Sequence, residues 1–167
     1  MAGRGAALLA ETMLPVDRRA MIAVLRPGWP GPDFWSRRMA HETVMHRHDA
    51  FEALGLPFEV DERVAYDALH EWMTAIVHII FDLRPAASEL LGSGRFYFEA
   101  TDTGQEWTVD LRGSAPMVLQ DRKKAVAKLR GPAFDLVLAL YQRRGTEGLR
   151  VSGKAGLMEQ FLDAMRF

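Results

Sequence analysis

The chain reads as an α+β protein. Apolar residues recur at helical spacing up to about residue 83. After residue 85 the pattern changes to aromatic and β-branched runs broken by turn residues. A break this sharp predicts a helical first part, residues 1–84, and a sheet-plus-helix second part, residues 85–167.

The elements follow in order. Residues 1–30 read as one or two short helices ending in the loop Arg26-Pro-Gly-Trp-Pro-Gly-Pro32, whose prolines and glycines break regular structure. Pro32 and Asp33 open a helix: proline suits a first turn, and a carboxylate complements the N-terminal dipole. Phe34, Met39, Val44 and Met45 form its apolar flank, and Gly55 is placed to stop it. Residues 56–60 are an extended linker. Asp61 can cap a second helix through Leu83, with Val64, Ala68, Trp72, Ala75, Ile76 and Ile79 on one face. Residues 94–101 and 106–112 predict a hairpin turning at Asp102-Thr-Gly-Gln105. A third strand is expected around residues 124–129. Gly131-Pro132 opens a helix with Phe134, Leu136, Val137 and Leu140 facing inward, residues 149–152 form a last strand, and residues 154–165 a closing helix.

Composition removes several function classes. The chain has 167 residues, 49% hydrophobic and 26% charged, as a globular protein has. A net charge of −1 gives no electrostatic basis for nucleic acid or an acidic membrane. With no cysteine there is no disulfide, thiolate ligand or protein thiol nucleophile, which fits a cytoplasmic location. The longest apolar run, residues 75–81, falls far short of the ~20 residues that span a bilayer. Glu11 ends the first apolar run too early for a secretory signal.

The residues richest in chemistry are Met39-Ala-His-Glu-Thr-Val-Met-His-Arg-His-Asp-Ala50. Glu42 and His46 stand one helical turn apart on one face, so both can reach a single divalent cation. The same spacing also suits a plain solvated contact. This stretch resembles the H-E-x-x-x-H-R-x-D-A helix of the mycothiol-dependent maleylpyruvate isomerase family. Asp67–Trp72, the A-T-D-T-G-x-x-W-x-V run at 100–109, Arg130–Arg143 and Val151-Ser-Gly153 resemble further motifs of that family, in the same order. The resemblance implies a DinB-like metal-binding helical bundle, here partial, followed by a small sterol-carrier-like sheet-plus-helix domain.

It also implies a chemistry. Two His and one Glu would hold a divalent metal, zinc by the donor set, with an open position; Glu42 and His46 match two of these ligands. The open position would take the thiol of mycothiol, deprotonated by the cation. The thiolate adds to the double bond of maleylpyruvate, the resulting single bond rotates, and elimination gives the trans product. The family's substrate-carboxylate arginine falls on Arg143, with Arg144 its near alternative. Mycothiol points to an actinobacterial source. The expected activity is therefore a metal- and mycothiol-dependent isomerase or transferase acting on a small carboxylate such as maleylpyruvate, with no nucleic-acid or membrane partner.

One departure bears on this. The family's remaining histidine ligand precedes the Glu-x-x-x-His helix, but residues 1–40 contain no histidine. The expected repairs are an upstream start, an oligomer or partner chain that completes the bundle, or substitution by His41, His48 or His70. His41 lies about 100° around the helix from Glu42, and His48 about 200° from His46, which leaves His70 as the better internal candidate. The alternative function is a non-catalytic small-ligand-binding or truncated family member with an incomplete metal site. Simpler roles are expected elsewhere: Arg47 and Asp49 in surface pairs, Trp72 and Trp107 in the core, His78 in the core or at an interface, Asp102 in the hairpin turn and Asp135 at a helix start.

Overall fold

The computed structural model describes residues 2–17, 20 and 31–166. The predicted loop from Arg26 falls largely outside the described residues. The chain divides into two compact units, residues 1–58 and 59–167, which are described separately.

The first unit contains α1 (Ala2–Met13) and α2 (Gly31–Ala53). Asp33 lies in the first turn of α2, where its charge meets the exposed N–H groups. Gly55 ends the helix at φ +64, with Leu56 N–H donating to Phe51 O and Gly55 N–H to Glu52 O. This is the 6→1 and 5→2 pairing of a Schellman cap, and only glycine takes that φ without strain.

The second unit opens with α3 (Glu62–Glu71), capped by Asp61, whose side chain accepts from Arg63 N–H at 2.8 Å. The helix passes through one π turn, Trp72–Ile76, into α4 (Val77–Leu83). The wider turn shifts the helical phase, and Trp72, Met73, Ala75, Ile76 and Val77 are all buried. The short α5 (Pro85–Ser88) follows. The unit begins at Glu59 rather than near residue 85 because α3 packs on the later helix α6 (Ala133–Leu140), so the helix belongs with the sheet.

Five strands form one mixed sheet: β1 (Arg95–Ala100), β2 (Gln105–Asp110), β3 (Met117–Leu119), β4 (Ala127–Gly131) and β5 (Arg150–Gly153), in the order β3-β2-β1-β4-β5. β1 and β4 are parallel and the other pairs antiparallel. The hairpin lies where the sequence puts it. The strand expected at 124–129 is β4, a few residues later, and β3 was not foreseen. With α7 (Ala155–Ala164) the unit is α+β.

Register separates the sheet's two faces. Phe96, Phe98, Trp107, Val109, Ala127 and Leu129 share the apolar face. Phe161 of α7 stacks on Phe96 with ring centroids 4.7 Å apart. Trp72 and Trp107 are fully buried, as expected of core residues. The other face carries Arg95, Tyr97, Glu99, Glu106, Thr108, Asp110, Lys128 and Arg130. Tyr97 and Thr108 are nevertheless buried, because the β3–β4 connection crosses above them. Thr108 Oγ1 donates to Asp121 O (2.7 Å) and accepts from Lys123 N–H (3.2 Å), and Arg122 lies over the Tyr97 ring. Residues 120–126 reach roughly 23 Å when extended, against about 14 Å for three strand spacings, so the crossing is unstrained. Among the described residues no helix is long and apolar enough to cross a membrane.

Candidate functional site

Helix α2 presents two polar flanks of different exposure. His41 and His48 are buried, with Arg38 and Met45. The His48 ring meets Phe58 edge-on at 5.5 Å. Glu42 and His46 lie on the open flank, the His46 side chain 68% exposed. This agrees with helical phase: His41 and His48 do not share the face of the Glu42–His46 pair.

Glu42 Oε2 and His46 Nε2 are 3.4 Å apart. Zinc–nitrogen and zinc–oxygen bonds near 2.1 Å at a tetrahedral angle place two ligand atoms about 3.4 Å apart. The pair therefore matches one edge of a zinc tetrahedron. The other carboxylate oxygen, Glu42 Oε1, accepts from Arg38, Nε at 3.1 Å with Nη2 closer, which orients the group. Beyond the pair, His46 Nδ1 lies 3.4 Å from Asp49 Oδ2. A carboxylate behind a histidine fixes its tautomer and ring orientation in metal sites. Sequence reasoning gave Asp49 only a surface role and passed over Arg38. The signal was available, because Arg38 stands four residues before Glu42 and Asp49 three after His46. Met39, Thr43, Arg47 and Ala50 complete the recess around the pair, and the Arg47 guanidinium lies toward the Phe58 ring at 5.6 Å.

A full ligand set is not gathered. Among the described residues no three His, Cys, Asp or Glu side chains are grouped so as to hold a metal ion. His70 belongs to the second unit. Its ring stacks on Tyr66 at 5.7 Å and lies 6.4 Å from the Trp107 ring.

Arg143 also belongs to the second unit. Helix α6 stops at Leu140, so Arg143 stands in the turn beyond the helix, not on its last turn. Its backbone N–H donates to Leu138 O and that of Gln142 to Ala139 O, a Schellman cap with Gln142 at φ +55 in the position glycine usually takes. The Gln142 side chain holds this conformation, donating to Leu162 O at 2.5 Å and accepting from Arg166 Nε at 2.7 Å. Arg143 Nη1 donates to Tyr141 O at 3.2 Å, and Arg144 pairs with Asp135 at 3.2 Å.

The motif residues of the second unit serve its architecture. Both carboxylate oxygens of Asp102 accept from Ala133 N–H at 3.0 Å, and Oδ1 also accepts from Thr103 N–H at 2.9 Å. Asp102 thus ties the hairpin turn to the start of α6 across 31 residues. Gly131 lies against the Leu149 side chain. Gly153, at φ +82, lies against Val126 O, where an added Cβ would collide with backbone.

Two charged clusters stabilise the polar sheet face. Asp110 accepts from Arg112 Nη2 (2.8 Å) and Arg95 Nε (2.9 Å), and these bonds, that to Arg112 first, hold its carboxyl well below the usual range against the opposing effect of burial. Tyr97 Oη lies 2.8 Å from Glu99 and 2.6 Å from Glu106. Burial, then these carboxylates, push its phenol far up. The Arg130 hydrogen bond lowers Glu99.

The fold and these motif positions agree with the comparison to known families. A family model described as the MDMPI C-terminal domain matches residues 63–160, more than half of the chain. The chain belongs to the MDMPI C-terminal domain family. This match includes Arg143 but not α2 with Glu42 and His46. No curated protein matches the chain. Similar solved structures include a UbiJ-SCP2 ubiquinone synthesis protein, 16% identical with TM-score 0.46, covering 65% of this chain and 93% of that one. Apo sterol carrier protein 2 from Yarrowia lipolytica is 15% identical with TM-score 0.43, covering 65% and 96%.

Proposed function

We propose that this MDMPI-family chain is a metal- and mycothiol-dependent isomerase- or transferase-like protein acting on a small carboxylate such as maleylpyruvate. The observation that carries the reading is the exposed Glu42–His46 pair, whose ligating atoms stand at the separation of a zinc tetrahedral edge. Glu42 and His46 would hold the cation together with a further ligand. A bound cation supplies a deprotonated thiol at neutral pH, which this cysteine-free chain cannot supply itself.

The chain's own residues have definite parts in this reading. Arg38 turns one Glu42 oxygen away and leaves the other toward His46. Asp49 favours the His46 tautomer with the proton on Nδ1, which keeps Nε2 free to ligate. Arg143 is assigned the substrate carboxylate, which a planar guanidinium binds through two parallel hydrogen bonds.

The test is conversion of maleylpyruvate by the zinc-loaded chain with mycothiol, followed as loss of the cis substrate, beside Arg143→Lys. The reading expects turnover that needs both thiol and metal, and a KM raised at least tenfold in the variant. Turnover independent of thiol, or none with zinc bound, contradicts it. The second reading is a non-catalytic ligand-binding member of the family. It is favoured by the absence of a third grouped ligand among the described residues.

A further inference from the structure

The register of β4 and β5 gathers cations on the polar face of the sheet, beside its edge. Lys128 stands opposite Ser152 and Arg130 opposite Arg150, so all four side chains leave the sheet on the same side as Tyr97 and Glu99. Residues directly opposite in an antiparallel pair have Cβ atoms about 4.5–5.5 Å apart, and like charges placed so are destabilising. Lys128 lies on the diagonal from Arg150, within about 7–8 Å. Arg122, over the Tyr97 ring, is a fourth cation close enough to act on Glu99.

Two carboxylates answer these four cations. Glu99 takes only Nη2 of Arg130, and Glu106 accepts from the Tyr97 phenol rather than from a cation. Arg130 Nε is buried with no hydrogen-bond partner among the described residues, and Lys128 and Arg150 form no ion pair there. Charge on an edge strand prevents edge-to-edge pairing, which accounts for Arg150. It does not account for Lys128 and Arg130, one strand further in.

The chemistry of the cluster selects its ligand. A carboxylate carries one charge and presents two oxygens in one plane to one guanidinium. A phosphate monoester carries about −1.5 to −2 at pH 7 on three acceptor oxygens. Its tetrahedron can accept from Arg130 and Arg150 across the strand pair, with Lys128 and the exposed Ser152 hydroxyl beside them. Its charge matches the excess of four cations over two carboxylates.

We infer that the β4–β5 side of the polar sheet face is a phosphate-binding site, which takes phosphate or the phosphate group of a small monoester between Lys128, Arg130 and Arg150. The site lies wholly within the second unit, so it is independent of the metal reading on α2.

The probes are inorganic phosphate, glycerol 3-phosphate and succinate, compared at equal ionic strength on the 167-residue chain with labelled backbone amides. Both phosphates are expected to give saturable shifts at residues 128–130 and 150–152 and to leave Met117–Leu119, at the opposite edge, in place. Arg150→Gln and Lys128→Gln should each weaken binding by about tenfold or more, the scale of a lost hydrogen bond to a charged group. Without ligand, Arg150→Gln should melt no lower than the wild type, because it relieves the opposed charges.

Tighter binding of glycerol 3-phosphate than of inorganic phosphate assigns the site to an esterified ligand, and equal binding assigns it to phosphate itself. Succinate bound as tightly as either would overturn the choice of phosphate. Shifts that do not saturate, or equal affinity in the wild type and Arg150→Gln, would overturn the site and leave a solvated basic face.

Discussion

Replacing Asp102 tests whether the family's hairpin motif is a helix cap in disguise. Its two carboxylate oxygens share the Ala133 N–H, each at 3.0 Å, at the start of α6. Loss of an N-terminal side-chain cap costs about 0.5–2 kcal/mol, and a negative charge near a helix N-terminus contributes about 0.3–1 kcal/mol more. Asp102 is exposed, so water replaces part of the lost bond and the lower half of the summed range applies. Asp102→Ala should therefore cost about 1.5 kcal/mol, and Asp102→Asn, which keeps an acceptor but no charge, about 0.5 kcal/mol. For the second unit, residues 59–167, about 1.5 kcal/mol lowers the melting temperature by roughly 6 °C. The assay is urea unfolding followed by far-UV circular dichroism, with thermal melts alongside. A neutral Asp102→Ala refutes the reasoning. Equal losses in the two variants show that the carboxylate acts otherwise than as a charged cap.

Three further outcomes follow from the second unit. Asp110→Asn leaves Arg95 and Arg112 without their carboxylate and should cost about 2–3 kcal/mol at neutral pH, read by urea unfolding. Because the folded Asp110 carboxyl lies below its ordinary 3.8, its contribution is complete above that value and is lost as pH falls beneath it. The wild type should then lose more stability than the variant on acidification, and parallel pH profiles would contradict this. Gly153→Ala meets backbone at Val126 O with φ already positive, and should cost about 2 kcal/mol or more by thermal melt. Thr108→Val should loosen the 120–126 connection, with faster amide exchange at Lys123, whose N–H would lose its acceptor.

What the sequence made legible was local. The start of α2 at Pro32-Asp33, its stop at Gly55, the Asp61 cap and the 100–109 hairpin each rest on chemistry within a few residues. The strand β3 escaped because its three residues, Met117–Leu119, have no alternation to read and pair only with β2. The Asp102–Ala133 cap and the placing of α3 against α6 depend on contacts distant in sequence, which periodicity does not encode. At the candidate site, helical phase correctly separated His41 and His48 from Glu42 and His46. The same helical spacing places Arg38 and Asp49 beside the pair, while side-chain exposure needed coordinates.

The most direct measurement is zinc content per chain for the purified 167-residue chain, beside His46→Ala and Asp49→Asn. The account predicts near one zinc per chain in the wild type and none in His46→Ala. In Asp49→Asn it predicts an affinity lower by about tenfold or more, since outer carboxylates contribute on that scale. Zinc that survives His46→Ala undiminished, or a wild-type chain that takes up none, contradicts the assignment of the α2 pair as a metal site.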